Sequence, residues 1–249
     1  MTLDLFSKQA DTYAVSRPQY PEQWYKFLFA QCAGNSLVWE AACGNGQATV
    51  ALSKYFNRVV ATDLSPQQID NALSLTNVSY SVSAAENISL ADNSCDLVCT
   101  AQALHWFDLP QYWQTVSRVL KPGGVFATWG YNWNSFDAEL DECIHEAVFK
   151  PIESYWAPNN KLLWDRYRDI DFPFEAIEVP EVAMPAEYNL YELFNLYRSM
   201  SGVQIYIQQH GDEYLRRAFE NVKAVWGDPE IKKTSYWEFV SYCGRLRHQ

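Results

Sequence analysis

The sequence predicts a doubly wound α/β fold, a mostly parallel sheet with helices on both faces. Three observations carry that prediction. Short apolar runs alternate with segments whose apolar residues recur at helical spacing, and such alternation requires parallel strands joined by right-handed crossovers. The run at 37–39 passes through small residues into 47–56, where Ala48, Ala51, Leu52, Tyr55 and Phe56 fall at i, i+3, i+4, i+7 and i+8. Finally, Glu40, Asp63, Ala85 and Gln102 all fall at the carboxyl ends of expected strands, which is where open sheets of this kind bind ligands.

Residues 1–35 precede the first core strand and carry the pattern F-x6-Y-x3-R-P-x-Y-P between Phe6 and Pro21. Pro21 suits the first turn of a helix bearing Trp24, Phe27 and Leu28. The segment reads as an N-terminal lid in which Tyr13, Arg17 and Tyr20 face a site, or as a plain docking arm.

The stretch L-V-W-E-A-A-C-G-N-G at 37–46 is a buried strand, an acid and a small-residue turn into a helix, which together make a nucleotide-binding corner. A dinucleotide fingerprint fails in both registers, because Thr49 or Gln47 stands where the third glycine belongs. No G-K-[ST] follows, which excludes a P-loop. What remains is E-x-A-x-G-x-G, with Ala42 at the first small position, acceptable if its φ is negative.

The second strand, 58–63, again ends in an acid. Asp63 lies near the spacing expected of the residue that holds ribose hydroxyls, and a carboxylate can accept from both members of a vicinal diol. Ser65, Pro66 and Gln68 then form a helix start. A third strand at 78–82 leads into Ser83-Ala84-Ala85-Glu86, and a fourth ends at Thr100 before A-Q-A-L-H-W-F-D at 101–108. Asp108 and Gln111 form a capping box ahead of a helix with Tyr112, Val116 and Val119 on one face. K-P-G-G at 121–124 stops it, and 125–129 is the fifth strand.

Residues 131–175 are irregular and ring-rich, a substrate cap or a packing subdomain. A sixth strand is expected at 176–182, helices at 187–200 and 215–226, and a final antiparallel strand at 234–242.

Composition narrows the function. A net charge of −11 argues against nucleic acid or an anionic membrane surface as the partner. No apolar run is long enough to span a bilayer, and the first residues lack a signal-peptide layout. The six cysteines are scattered, without metal-ligand spacing. These features lead to the expectation of a cytoplasmic protein without a metal; the sequence leaves its oligomeric state open between monomer and homodimer.

The motif E-A-A-C-G-N-G resembles the first motif of the class I S-adenosylmethionine (SAM)-dependent methyltransferases, [DE]-x-G-x-G-x-G. The arm pattern, and A-Q-A-L-H-W-F-D followed by L-K-P-G-G, are similar to motifs of the small-molecule methyltransferases related to trans-aconitate methyltransferase (the type 11 group). The match runs in order from about residue 6 to 130. It implies a Rossmann-like seven-stranded sheet, last strand antiparallel, with a helical, aromatic cap. The single domain would comprise an arm (1–35), a cofactor core (36–130) and the rest of the sheet with a cap insertion (131–249). SAM would be the methyl donor and S-adenosylhomocysteine the product.

The implied cofactor contacts are Tyr13, Arg17, Glu40, Ala41, Ala42, Gly44, Gly46, Asp63, Leu64, Ala85, Glu86, Ala101 and Gln102. Ala84 replaces an acid common in the family, so adenine recognition falls to the amides of Ala84 and Ala85 and to Glu86. Tyr13, Arg17 and His105 are the catalytic candidates, His105 as a general base. His105, Trp106, Trp133 and Arg198 are the substrate candidates, the arginines as carboxylate clamps. The reaction expected is in-line methyl transfer to a small carboxylate or similar metabolite. Two alternatives stand beside it: an NAD-linked oxidoreductase, which lacks its third glycine, and a SAM-binding module without turnover, in keeping with the departures at Ala42 and Ala84.

Overall fold

The computed structural model describes residues 17–246. Contacts divide the chain into two compact units. Among the described residues, one comprises Tyr20–Asn132, Lys161–Val182 and 239–246; the other comprises 17–19, Trp133–Asn160 and Ala183–Glu238.

The first unit opens with helix α1 (Glu22–Gln31) and strand β1 (Val38–Ala41). Helix α2 (Gln47–Leu52) follows, then β2 (Val59–Asp63), α3 (Pro66–Asp70), β3 (Val78–Val82) and β4 (Cys95–Ala101). Helix α4 (Leu109–Val119) leads into β5 (Leu120–Ser135). The remaining elements are α5 (Ala138–Ile144), α6 (Asn160–Trp164), β6 (Glu175–Ala176), β7 (Pro185–Tyr188), α7 (Leu190–Arg198), α8 (Ser201–His210), α9 (Glu213–Trp226) and β8 (Lys233–Arg245).

The sheet order is β3-β2-β1-β4-β5-β8-β6. The pairs β1–β2, β1–β4, β2–β3 and β4–β5 are all parallel, while β6 and β7 each pair antiparallel with β8. The fold is therefore Rossmann-like, as its alternation predicts, with an antiparallel edge. Successive strand residues feed opposite faces, so the central strands are apolar throughout. Val38, Leu97, Val125 and Ala127 pack with Trp24 and Leu28 of α1 and Leu52 of α2. Their neighbours Trp39, Val98 and Phe126 pack with Tyr112, Val116 and Val119 of α4.

Several boundaries depart from the sequence expectation, β5 among them, which runs on to Ser135. Helix α2 ends at Leu52 because its last turn tightens: the amides of Lys54 and Tyr55 donate to the carbonyls of Ala51 and Leu52, three residues back. The strand expected at 176–182 stops after Ala176, since Pro180 has no N–H to give a ladder and Glu178 and Glu181 are exposed. Strand β5 begins earlier than expected, K-P-G-G being accommodated as a register shift between Cys95 and Leu97 on its partner.

In the second unit, α7 opens on a complete capping box. The side chain of Asn189 accepts from Glu192 N while Glu192 accepts from Asn189 N. Helix α8, not expected from the sequence, follows directly, with Gly202 close under the Trp156 ring.

Candidate functional site

The carboxyl ends of β1, β2 and β4 bring the predicted residues together. Glu40, next to last in β1, is 1% exposed, and its Oε2 accepts a hydrogen bond from Thr49 Oγ1 on α2. Burial raises its pKa to about 8; the Thr49 hydrogen bond opposes that rise and the nearby charge of Asp63 adds to it.

The chain then turns sharply. Ala42 has φ +55°, Gly44 +56° and Gly46 +89°. The condition under which Ala42 could replace glycine without strain is therefore not met: this alanine sits in the left-handed region. Gly46 could not be replaced for a second reason. A Cβ there would lie 2.8 Å from the Tyr80 hydroxyl of β3. Around Gly44 the space is open, with Gln68 Oε1 at 4.0 Å the nearest atom.

Asp63 closes this corner from the neighbouring strand. Its Oδ2 accepts from Gly44 N and its Oδ1 from Ser65 N, each at 2.8 Å. Ser65 in turn caps α3 by accepting from Gln68 N. Leu64 beside it is 71% exposed, an apolar side chain projecting into solvent from the sheet's carboxyl edge.

At the end of β3, Ala85 is buried. Glu86 lies beneath: its carbonyl accepts from Thr115 Oγ1 and its Oε1 accepts from Asp108 N at 2.9 Å. The Glu86 side chain thus takes the place the capping box reserved for Gln111, whose amide bonds the Asp108 carboxylate instead. Gln102 follows β4 with φ +57°, and its carboxamide grips the Tyr131 backbone, accepting from N at 2.8 Å and donating to O at 3.1 Å. Its side chain stands in for one more strand residue, and a Cβ on Gly130 would collide with it.

His105 lies on a short 3-10 turn, Leu104–Trp106, and is buried. Nδ1 is 3.4 Å from Tyr167 Oη, and burial lowers its pKa to about 4. The adjacent Trp106 ring is 52% exposed. Within the second unit, Trp133 packs against Phe149 and Trp156. Arg198 forms an ion pair with Asp212 at 3.1 Å, so its guanidinium is already engaged there. Tyr13 lies outside the described residues, and Arg17 is half-buried at their start. Motif reading missed Thr49, whose hydroxyl donates to Glu40; a hydroxyl near the start of the helix that follows a buried acid was its signal.

An acid at the end of β1, a glycine turn open to solvent and an acid at the end of β2 define the nucleotide-binding α/β class. The two carboxylates are acceptors and suit a ligand with a cationic group and a vicinal diol. SAM has both, so the residues present fit it. Comparison with known proteins takes this further. The methyltransferase-domain family model matches residues 39–128. A Dictyostelium discoideum protein named as a methyltransferase is 33% identical over 238 residues, covering 93% of this chain and 84% of its own. An uncharacterised Mycobacterium tuberculosis methyltransferase is 35% identical over 136 residues, and the match covers 54% of each protein. The structure of a type II methyltransferase from Anaeromyxobacter dehalogenans is similar at TM-score 0.86 and 30% identity, covering 94% of this chain and 99% of that one. The chain belongs to the class I SAM-dependent methyltransferases. Among the described residues, no helix is long and apolar enough to cross a membrane.

Proposed function

We propose that this methyltransferase methylates a carboxylate oxygen of a small molecule. The observation that carries the proposal is the state of His105. Buried and with its pKa lowered to about 4, it is neutral at physiological pH and a weak proton acceptor. A hydroxyl or amine acceptor must lose a proton on transfer and benefits from a base. A carboxylate is already an anion and needs none.

The cofactor supplies a methyl group activated on a sulfonium sulfur. In transfer to a carboxylate, an oxygen–carbon bond forms as the carbon–sulfur bond breaks, the electron pair stays on sulfur, and no proton moves. The protein's part is to bind, orient and exclude water. In this reading Glu40 meets the cationic amino end of the cofactor, Asp63 the ribose diol, and Leu64 with the backbone at Ala85 the adenine. The hydrogen bond to Tyr167 holds the His105 ring as a fixed polar wall, and the exposed Trp106 ring offers a face to the acceptor.

The test is transfer of labelled methyl from SAM to parallel panels of small carboxylic acids, phenols and amines. The expected product releases its label as methanol in mild base, as a methyl ester does. A base-stable product formed on a phenol or amine would overturn the carboxylate assignment.

A further inference from the structure

We infer that Thr49 is a positioning residue for the cofactor: its hydroxyl aims the buried Glu40 carboxylate at the cationic end of SAM. The inference rests on the reading that Glu40 faces the cofactor, and it adds the residue that orients Glu40.

Thr49 is fully buried near the start of α2, and Oγ1 donates to Glu40 Oε2. A β-branched side chain in a helix has few rotamers, so the hydroxyl direction is set by the backbone. Two hydroxyls flank the α-carbon of Gly46: a Cβ built there would lie 2.8 Å from Tyr80 Oη and 3.5 Å from Thr49 Oγ1. The glycine turn therefore packs beside the same Thr49 hydroxyl that bonds the acid.

The surroundings leave Glu40 few other ways to be held. The titratable groups coupled to it are Tyr25 of α1, Cys43 in the turn, Asp63 of β2, Tyr80 of β3 and Cys99 of β4. Among the described residues this set contains no cation. Burial raises Tyr25, Cys43, Tyr80 and Cys99, so all four are uncharged at neutral pH. An ionised Glu40 thus depends on the Thr49 hydroxyl until a cationic ligand arrives. Cofactor binding should accordingly strengthen as pH rises towards about 8, where Glu40 ionises.

The experiment is calorimetric titration of the folded protein with SAM across about pH 6.5 to 9, which brackets that ionisation. Wild type is compared with Thr49→Val, Thr49→Ser and Glu40→Gln, each checked by thermal melting. Titration of the ligand's own amino group is common to all four and cancels in the ratios. Thr49→Val should bind about tenfold more weakly, the scale of one hydrogen bond to a charged group. Its rise in affinity should move to higher pH, because a hydrogen bond that favours the ionised acid is gone. Thr49→Ser should stay within about threefold of wild type with an unmoved profile. If Thr49→Val does not fold, Thr49→Ala carries the same expectation against Thr49→Ser. Weakened binding in Glu40→Gln, with affinity and pH profile unchanged in the Thr49 variants, would overturn the positioning role alone. Unchanged binding in Glu40→Gln would remove Glu40 from the site and overturn both readings.

Discussion

Asp63 Oδ2 accepts the backbone N–H of Gly44 at 2.8 Å, tying the end of β2 to the turn that leaves β1. With Oδ1 taken by Ser65 N, both carboxylate oxygens are oriented by backbone, and each keeps a lone-pair direction for a ligand hydroxyl. Asp63→Ala should therefore weaken SAM binding by about 1–3 kcal/mol, the scale of lost hydrogen bonds to a charged group. Asp63→Asn should also weaken it, because an amide nitrogen must then face one of the two N–H groups. Calorimetry with SAM checks both; unchanged affinity would take Asp63 out of the site.

Gly46 carries two separable constraints, a left-handed backbone at φ +89° and the approach of the Tyr80 hydroxyl. Gly46→Ala should destabilise the fold by about 1–2 kcal/mol from the backbone alone, and by more from the collision. Adding Tyr80→Phe removes the nearest atom and leaves the ring edge at 3.4 Å. The double variant should thus recover the steric part and not the backbone part. A double-mutant cycle of denaturant midpoints measures the difference; simple additivity would show that the hydroxyl is not what the Cβ meets.

Much of this corner was legible in the sequence, because it is built from local rules. An apolar strand, a terminal acid and two glycines permit few arrangements, and Ser65 and Asp108 cap the helices their spacing announces. What was hidden depends on tertiary context. Nothing around Ala42 shows that its backbone turns left-handed, since alanine is a poor choice there. Gln102 looked like a ligand contact, yet its amide is spent on the Tyr131 backbone, a partner set by β4–β5 register. Arg198 looked like a clamp for the same reason; Asp212, which pairs with it, is distant in sequence and not on its helix. The stretch 133–160 was least legible, because its rings, Trp133, Phe149 and Trp156, pack on one another rather than on a periodic face.

The burial of His105 predicts the shape of the pH–rate profile. With its pKa lowered to about 4, turnover at saturating cofactor should show no limb near the ordinary histidine value of about 6.5. His105→Asn, which keeps a polar side chain of similar reach, should lower turnover without changing the form of the profile. Steady-state rates between about pH 5.5 and 8 check this. A limb near 6.5 that vanishes in the variant would restore His105 as a general base and weaken the case for a carboxylate acceptor.

Asp96 links the amino end of β1 to the start of β5 and should govern stability in acid. It is 5% exposed and accepts from Ser36 Oγ at 2.6 Å, Leu37 N at 3.0 Å and Lys121 Nζ at 2.7 Å. Burial alone would raise its pKa; the hydrogen bonds from Lys121, Ser36 and Leu37 outweigh that and lower it. A carboxylate whose folded pKa lies below its unfolded value adds stability above the unfolded value, near 3.9, and loses it as pH falls through the folded one. Wild type should therefore lose stability as pH drops below about 4, and Asp96→Asn should lose less over the same window. At neutral pH the variant should be about 1–3 kcal/mol less stable, since it forfeits the charge-assisted bonds while leaving the part-exposed Lys121 free to reach water. Urea unfolding at neutral pH and near pH 3.5 separates the two effects. Equal losses of stability on acidification in both proteins would show that Asp96 is not the group responsible.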